Sequence, residues 1–123
     1  MAAPNILGLT TATGKTTYLT PANTTANVLL ANAASSGKVL KINQIIAANT
    51  TGTAANATIA VNTAAAGSGT SYSIAGAISV PANASLIVVD KTLQLYLEED
   101  KSILATSGTS SAITYTVSYE ELS

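Results

Sequence analysis

The sequence predicts an all-β fold: an antiparallel β-sandwich, jelly-roll-like, of about seven to nine short strands behind an extended N-terminal arm. Three observations predict it. Apolar and polar residues alternate with period two in several segments, as in strands with one buried face. Gly, Pro, Asn and Ser punctuate the chain at a spacing of about 8–12 residues, the rhythm of sandwiches and barrels. No segment carries a sustained helical apolar stripe, and the alanine-rich stretches that would favour helix are broken by Gly, Asn, Thr and Ser.

The 123 residues suffice for one ordinary domain. Only 9% are charged and 47% are hydrophobic, so the chain can collapse; disorder pairs low hydrophobicity with high charge. Much of the apolar content is alanine, so the expected core is thin.

The elements follow in order. Residues 1–25 read as an arm or edge strand. They hold Ile6, Leu7 and Leu9 and then a Thr-rich stretch to Pro21. That is too little to fill a core, so this segment packs on a neighbour or on the domain's own rim. Residues 26–123 read as the sandwich. Its first strand is 28–31, followed by a turn at 33–37. Residues 38–48 form the longest apolar-rich run, with Val39, Leu40, Ile42, Ile45 and Ile46. After a turn at 49–52, residues 57–61 alternate as a half-buried strand. A loose loop at 64–69 leads to Tyr72 and Ile74, and the strand continues through Ile78 and Val80. Residues 86–89, Leu-Ile-Val-Val, suit a strand covered on both faces. Leu93, Leu95 and Leu97 share a face opposite Tyr96, a charged turn spans 98–101, and 103–105 is a short strand. The last strand is the clearest. Ile113, Tyr115, Val117 and Tyr119 line one face, with the tyrosine hydroxyls expected at the rim of the core.

Missing residue types exclude several chemistries. The chain has no Cys, His, Trp or Phe, and its five basic residues are all Lys. Disulfides, thiol catalysis and the usual zinc, haem and iron–sulfur donors are absent. So are the His-based nucleophile pairs and the bidentate Arg clamp on phosphate. A net charge of −1 offers no basic footprint for nucleic acid or an anionic membrane surface. No apolar run is long enough to span a bilayer. The N-terminal residues do not resemble a secretory signal, which points to synthesis and retention in a cytoplasm. No cofactor and no metal are expected.

Four patterns invite a functional reading. Residues 8–16 resemble a phosphate-binding loop, but five residues separate Gly8 from Gly14 where that loop has four, and no helix pattern follows. Asn23, Asn49, Asn56 and Asn83 each begin an Asn-x-Ser/Thr triplet; these read as turns. Glu98, Glu99 and Asp100 cluster as a hard cation would require, but lack calcium-loop spacing and read as a solvated turn. Tyr96, opposite the leucine face, is the candidate aromatic at an interface; Ile6, Leu7 and Leu9 are the candidate contacts of the arm.

From residue 26 onward the order of features resembles a known group. Ser35-Ser36-Gly37-Lys38-Val39 leads into the 42–46 strand and Ala48-Asn49-Thr50-Thr51-Gly52. Pro81-Ala82-Asn83-Ala84-Ser85-Leu86 precedes Leu95-Tyr96-Leu97-Glu98-Glu99-Asp100-Lys101-Ser102-Ile103, and Val117-Ser118-Tyr119-Glu120-Glu121 closes the chain. This resembles a small β-sandwich domain of virion structural proteins in tailed bacteriophages, including those of cyanobacteria. One departure is Glu99, where the group often has Gly before Asp100. The resemblance implies a non-enzymatic part of the particle. The first expectation is a capsid decoration (cement) protein, a homotrimer that binds and stabilises the shell of major capsid protein, located on a virion assembled in the bacterial cytoplasm. The alternative is a neck, tail or fibre component, a host-surface glycan-binding module being one form of it.

Overall fold

The computed structural model describes residues 6–93 and 95–123. Among them are nine strands: β1 (Ala12–Leu19), β2 (Asn27–Asn32), β3 (Val39–Asn49), β4 (Ala55–Asn62), β5 (Ser71–Val80), β6 (Ser85–Val89), β7 (Leu95–Leu97), β8 (Lys101–Ser107) and β9 (Ile113–Leu122). Short 3-10 turns at Ile6–Gly8 and Lys91–Leu93 are the helical elements described. The strands form two antiparallel sheets packed together. One runs β1-β9-β3-β6, with β7 also on β3; the other runs β2-β8-β4-β5. The chain is the all-β sandwich that its period-two patterning predicts.

The clearest sequence pattern makes the central strand. Ile113, Tyr115, Val117 and Tyr119 of β9 are all buried, while Thr114, Thr116 and Ser118 face outward, half-buried. In β3, alternation alone would put Ile42 and Ile45 on opposite faces. A bulge between Ile42 and Gln44 adds one residue, and both side chains reach the core. Ala47, Ala57, Ala105 and Ala112 are fully buried beside Ile59, Ile103 and Val117, so small side chains thin the layer between the sheets.

One open expectation is decided and two change. Residues 12–19 are an edge strand of the domain's own sheet, paired with β9 without interruption from Ala12↔Leu122 to Leu19↔Tyr115. Residues 86–89 are not covered on both faces. β6 is an edge strand, and Ile87 is 57% exposed on the outer face of the sheet, over which none of the described strands packs. The loop at 64–69 is not loose. Ser102 Oγ donates to Ala64 O at 2.8 Å, and Ala65 N donates to Asp100 Oδ1 at 3.2 Å.

The Tyr115 hydroxyl also differs from expectation. It lies inside the core and joins the two sheets. It accepts from Thr58 N on β4 at 3.2 Å and donates to Thr106 O on β8 at 2.5 Å. Burial pushes its pKa up to about 12. A raised folded-state pKa stabilises the fold below the unfolded value, and that contribution is lost as pH climbs toward the folded value. Stability should therefore fall by about 2–3 kcal/mol between pH about 10 and about 12 from this group alone. Tyr115→Phe should lack this part of the alkaline loss. At neutral pH it should cost about 1–3 kcal/mol, because two interior backbone groups lose their partner. Urea unfolding of both proteins across that pH range checks both statements. An identical alkaline slope in the two would refute the first.

Candidate functional site

Three asparagines decide how the loops are held. Each is buried, and each is the last residue of its strand: Asn32 of β2, Asn49 of β3 and Asn62 of β4. Asn49 Nδ2 donates to Thr53 O at 2.8 Å and Val80 O at 3.0 Å, while its Oδ1 accepts from Thr51 N and Thr51 Oγ1. Asn62 Nδ2 donates to Gly69 O and Ser71 Oγ, and its Oδ1 accepts from Ala64 N and Gly69 N. Asn32 Nδ2 reaches Lys38 O and Leu97 O, and Oδ1 accepts from Ser36 Oγ. A primary amide has two donors and an acceptor on one short stem, so it can close a loop that backbone pairing leaves open.

The Asn-x-Thr triplets are turn builders of the same kind. Thr25 N and Oγ1 donate to Asn23 Oδ1, as Thr51 does to Asn49. Asn83 sits in a turn at φ 56°. Asn56 departs from the expected turn, because it lies within β4.

These loops sort to the two ends of the sandwich. At one end, loops 20–26, 50–54, 81–84 and 108–112 meet and are tied together. Ser111 N donates to Pro21 O at 2.9 Å, Asn83 N to Thr51 O at 3.0 Å, Thr50 N to Ala112 O at 3.1 Å and Asn49 N to Ala84 O at 2.8 Å. All four loops are built from Thr, Ser, Asn, Ala, Pro and Gly, and none carries a charge. The opposite end gathers Lys15, Lys38, Lys41, Glu98, Glu99, Asp100, Lys101, Glu120 and Glu121, by the pairing of the N-terminal parts of β1, β3 and β8 with their neighbours. The remaining charges, Asp90 and Lys91, lie midway along the sheet edge, beyond Val89, which pairs with Ile45. The sequence carried a signal for this. Between Lys41 and Asp90 there is no ionised side chain. Only the topology shows that this neutral half of the chain shares one end with loops 20–26 and 108–112.

The charged end holds itself together. Glu121 bridges Lys38 at 2.8 Å and Lys15 at 3.2 Å, and the Lys38 hydrogen bond above all holds its carboxyl below the usual range. Glu99 accepts from Gly37 N and Asp100 from Ala65 N, so these carboxylates brace loop backbone. Among the described residues no three acidic groups converge to hold a metal ion. Gly14 and Lys15 lie inside β1, so the resemblance to a phosphate-binding loop has no loop to support it.

Two further surfaces stand out. Across the outer face of the five-stranded sheet, Tyr18, Thr116, Ile46 and Ile87 are successive register partners, with Tyr18 73% exposed. Reading the sequence missed this row, because Tyr18 lies in a Thr-rich stretch and Ile87 in an apolar run. Beside it, an open cleft of about 380 Å³ is lined by Asn43, Gln44, Asp90, Lys91, Thr92 and Ser118. Asn43 is the bulge residue of β3; its Nδ2 reaches Glu120 Oε1 at 3.4 Å, and its buried Oδ1 accepts no hydrogen bond among the described residues. Thr92 N and Oγ1 donate to Asp90 Oδ1, lowering the pKa of that carboxyl.

The predicted contact residues fall elsewhere. Leu7 is 96% exposed and Leu9 half-buried, just before Thr10 and Thr11, whose N–H groups bond Ser123 O at the charged end. The side chain of Ile6 lies outside the described residues. Tyr96 pairs with Lys41 and is 38% exposed on the outer face of the five-stranded sheet, toward that same end. None of the other three, Leu7, Leu9 and Tyr96, belongs to the uncharged end. The chain matches no protein-family model and no curated protein sequence.

Proposed function

We propose that the chain is a non-enzymatic structural protein of a bacteriophage virion: a capsid decoration protein that binds and stabilises the shell of major capsid protein. The observation that carries this reading is the segregation of charge, which leaves a rigid, fully uncharged end on a small sandwich. The cores of protein interfaces are depleted in charged residues, and a surface already fixed by its own hydrogen bonds loses little freedom on docking. The phage partner comes from the resemblance in residues 26–123. Many copies on one shell turn modest single contacts into durable attachment. The trimeric state belongs to the same proposal, with Ile6, Leu7, Leu9 and Tyr96 as the candidate contacts between copies.

A second reading, a glycan-binding module on the neck, tail or fibre, draws on the polar cleft around Asn43. Immunogold labelling of intact virions separates the two. Gold over the head is the expected result. Gold confined to the neck or tail would replace the first reading by the second, and particles without label would overturn both.

A further inference from the structure

We infer that the protein docks end-on, with loops 50–54, 81–84 and 108–112 against the shell and the Lys/Glu end in solvent. This rests on the decoration reading and adds an orientation to it. The two ends differ steeply in what docking would cost. Burying the charged end would strip the remaining water from nine ionised side chains, a desolvation that only well-formed pairs offset. Burying the other end desolvates none. Its exposed groups are hydroxyls, amides and backbone, which bond to a partner directly or through trapped water. Its backbone is already latched by Asn49 and by the bonds linking Pro21, Thr51, Ala84 and Ala112 to facing loops. Charge turned outward also keeps a densely covered particle from associating with its neighbours. The matching shell surface is therefore an uncharged polar patch, and attachment should not weaken as ionic strength rises from about 0.01 M to about 1 M, a change that shortens the screening length from about 30 Å to about 3 Å.

The chain has no cysteine, so one introduced thiol reports one position. Thr53→Cys and Ser110→Cys place it on the uncharged end, and Glu98→Cys on the charged end; all three sites are exposed in the free chain. Each variant is incorporated into virions and treated with a maleimide–polyethylene glycol, beside the same variant free in solution. On the particle, Thr53→Cys and Ser110→Cys should react about tenfold or more slowly, as buried thiols do, and Glu98→Cys at its free rate. Protection of Glu98→Cys alone would overturn the orientation and leave the decoration reading standing, as would equal reactivity of all three on labelled heads. A protein absent from heads would overturn both. Two positions on the uncharged end keep the test decisive if one variant folds poorly, which thermal melting of the free proteins shows directly.

Discussion

Gly67→Val is expected to destabilise the sandwich by about 2–5 kcal/mol. Loop 63–70 folds back over the outer face of the four-stranded sheet, and Gly67 is where it touches. A Cβ there would lie 3.1 Å from Leu104 Cδ2 and 3.3 Å from Val28 Cγ2. The neighbours are side-chain methyls on β8 and β2, which would have to give by a few tenths of an ångström for the first carbon and further for the branched methyls of valine. The backbone adds a second cost, because φ is +80°, a region that β-branched residues strongly avoid. The backbone strain comes to about 1–3 kcal/mol and the crowding to about 1–2 kcal/mol. A domain of this length has a total stability of about 6–18 kcal/mol, so the loss would be a large fraction of it. Gly67→Ala should show the lower part of the range. The check is the shift of the urea midpoint at unchanged slope. A loss of less than about 1 kcal/mol for the valine variant would mean that the loop lifts off without cost and is not part of the packed structure.

The reach of the sequence can be judged strand by strand. β9 and β3 were legible because long alternating apolar runs have one way to bury a face. β1 was ambiguous for the opposite reason. Its residues are Ala, Thr, Gly, Lys, Tyr and Leu, and nearly all remain exposed, so no burial pattern marks it. It is a strand because β9, about a hundred residues away in sequence, offers it a full row of backbone partners. β6 reads as covered on both faces because Leu-Ile-Val-Val looks alike in a central and an edge strand; only the sheet order shows that Ile87 faces outward. The bulge at Asn43 was implicit in the three-residue step from Ile42 to Ile45, which strict alternation forbids. For the candidate site, the charge-free stretch between Lys41 and Asp90 was plain in the sequence. Which loops would share its end depends on topology, which composition does not carry. Of the asparagine clamps only Asn49 lay in view as an Asn-x-Thr triplet, Asn32 and Asn62 heading none, and the triplet does not show that Asn49 also ends a strand and turns inward.

Asn49→Ala should have the second large effect, with two separable consequences. It removes donors from Thr53 O and from the buried Val80 O, and the acceptor for Thr51 N and Oγ1. Interior polar groups left without partners cost about 1–3 kcal/mol each, so a loss of about 2–4 kcal/mol is expected. Asn49→Asp keeps the shape but not the donors. Its carboxylate would face two carbonyl oxygens in a buried site, so its folded-state pKa should be raised. The variant should therefore be weaker than Asn49→Ala at neutral pH and recover as pH falls and the carboxyl protonates. Asn62→Ala provides the comparison, because Asn62 clamps the loop at the charged end with the same number of bonds. Both alanine variants should lose similar stability. If the uncharged end meets the shell, only Asn49→Ala should lower head occupancy at temperatures where both remain folded, since it alone frees the loops that must arrive preorganised. Equal occupancy for the two would remove loop order as a determinant of binding. A deficit confined to Asn62→Ala would move the contact to the charged end.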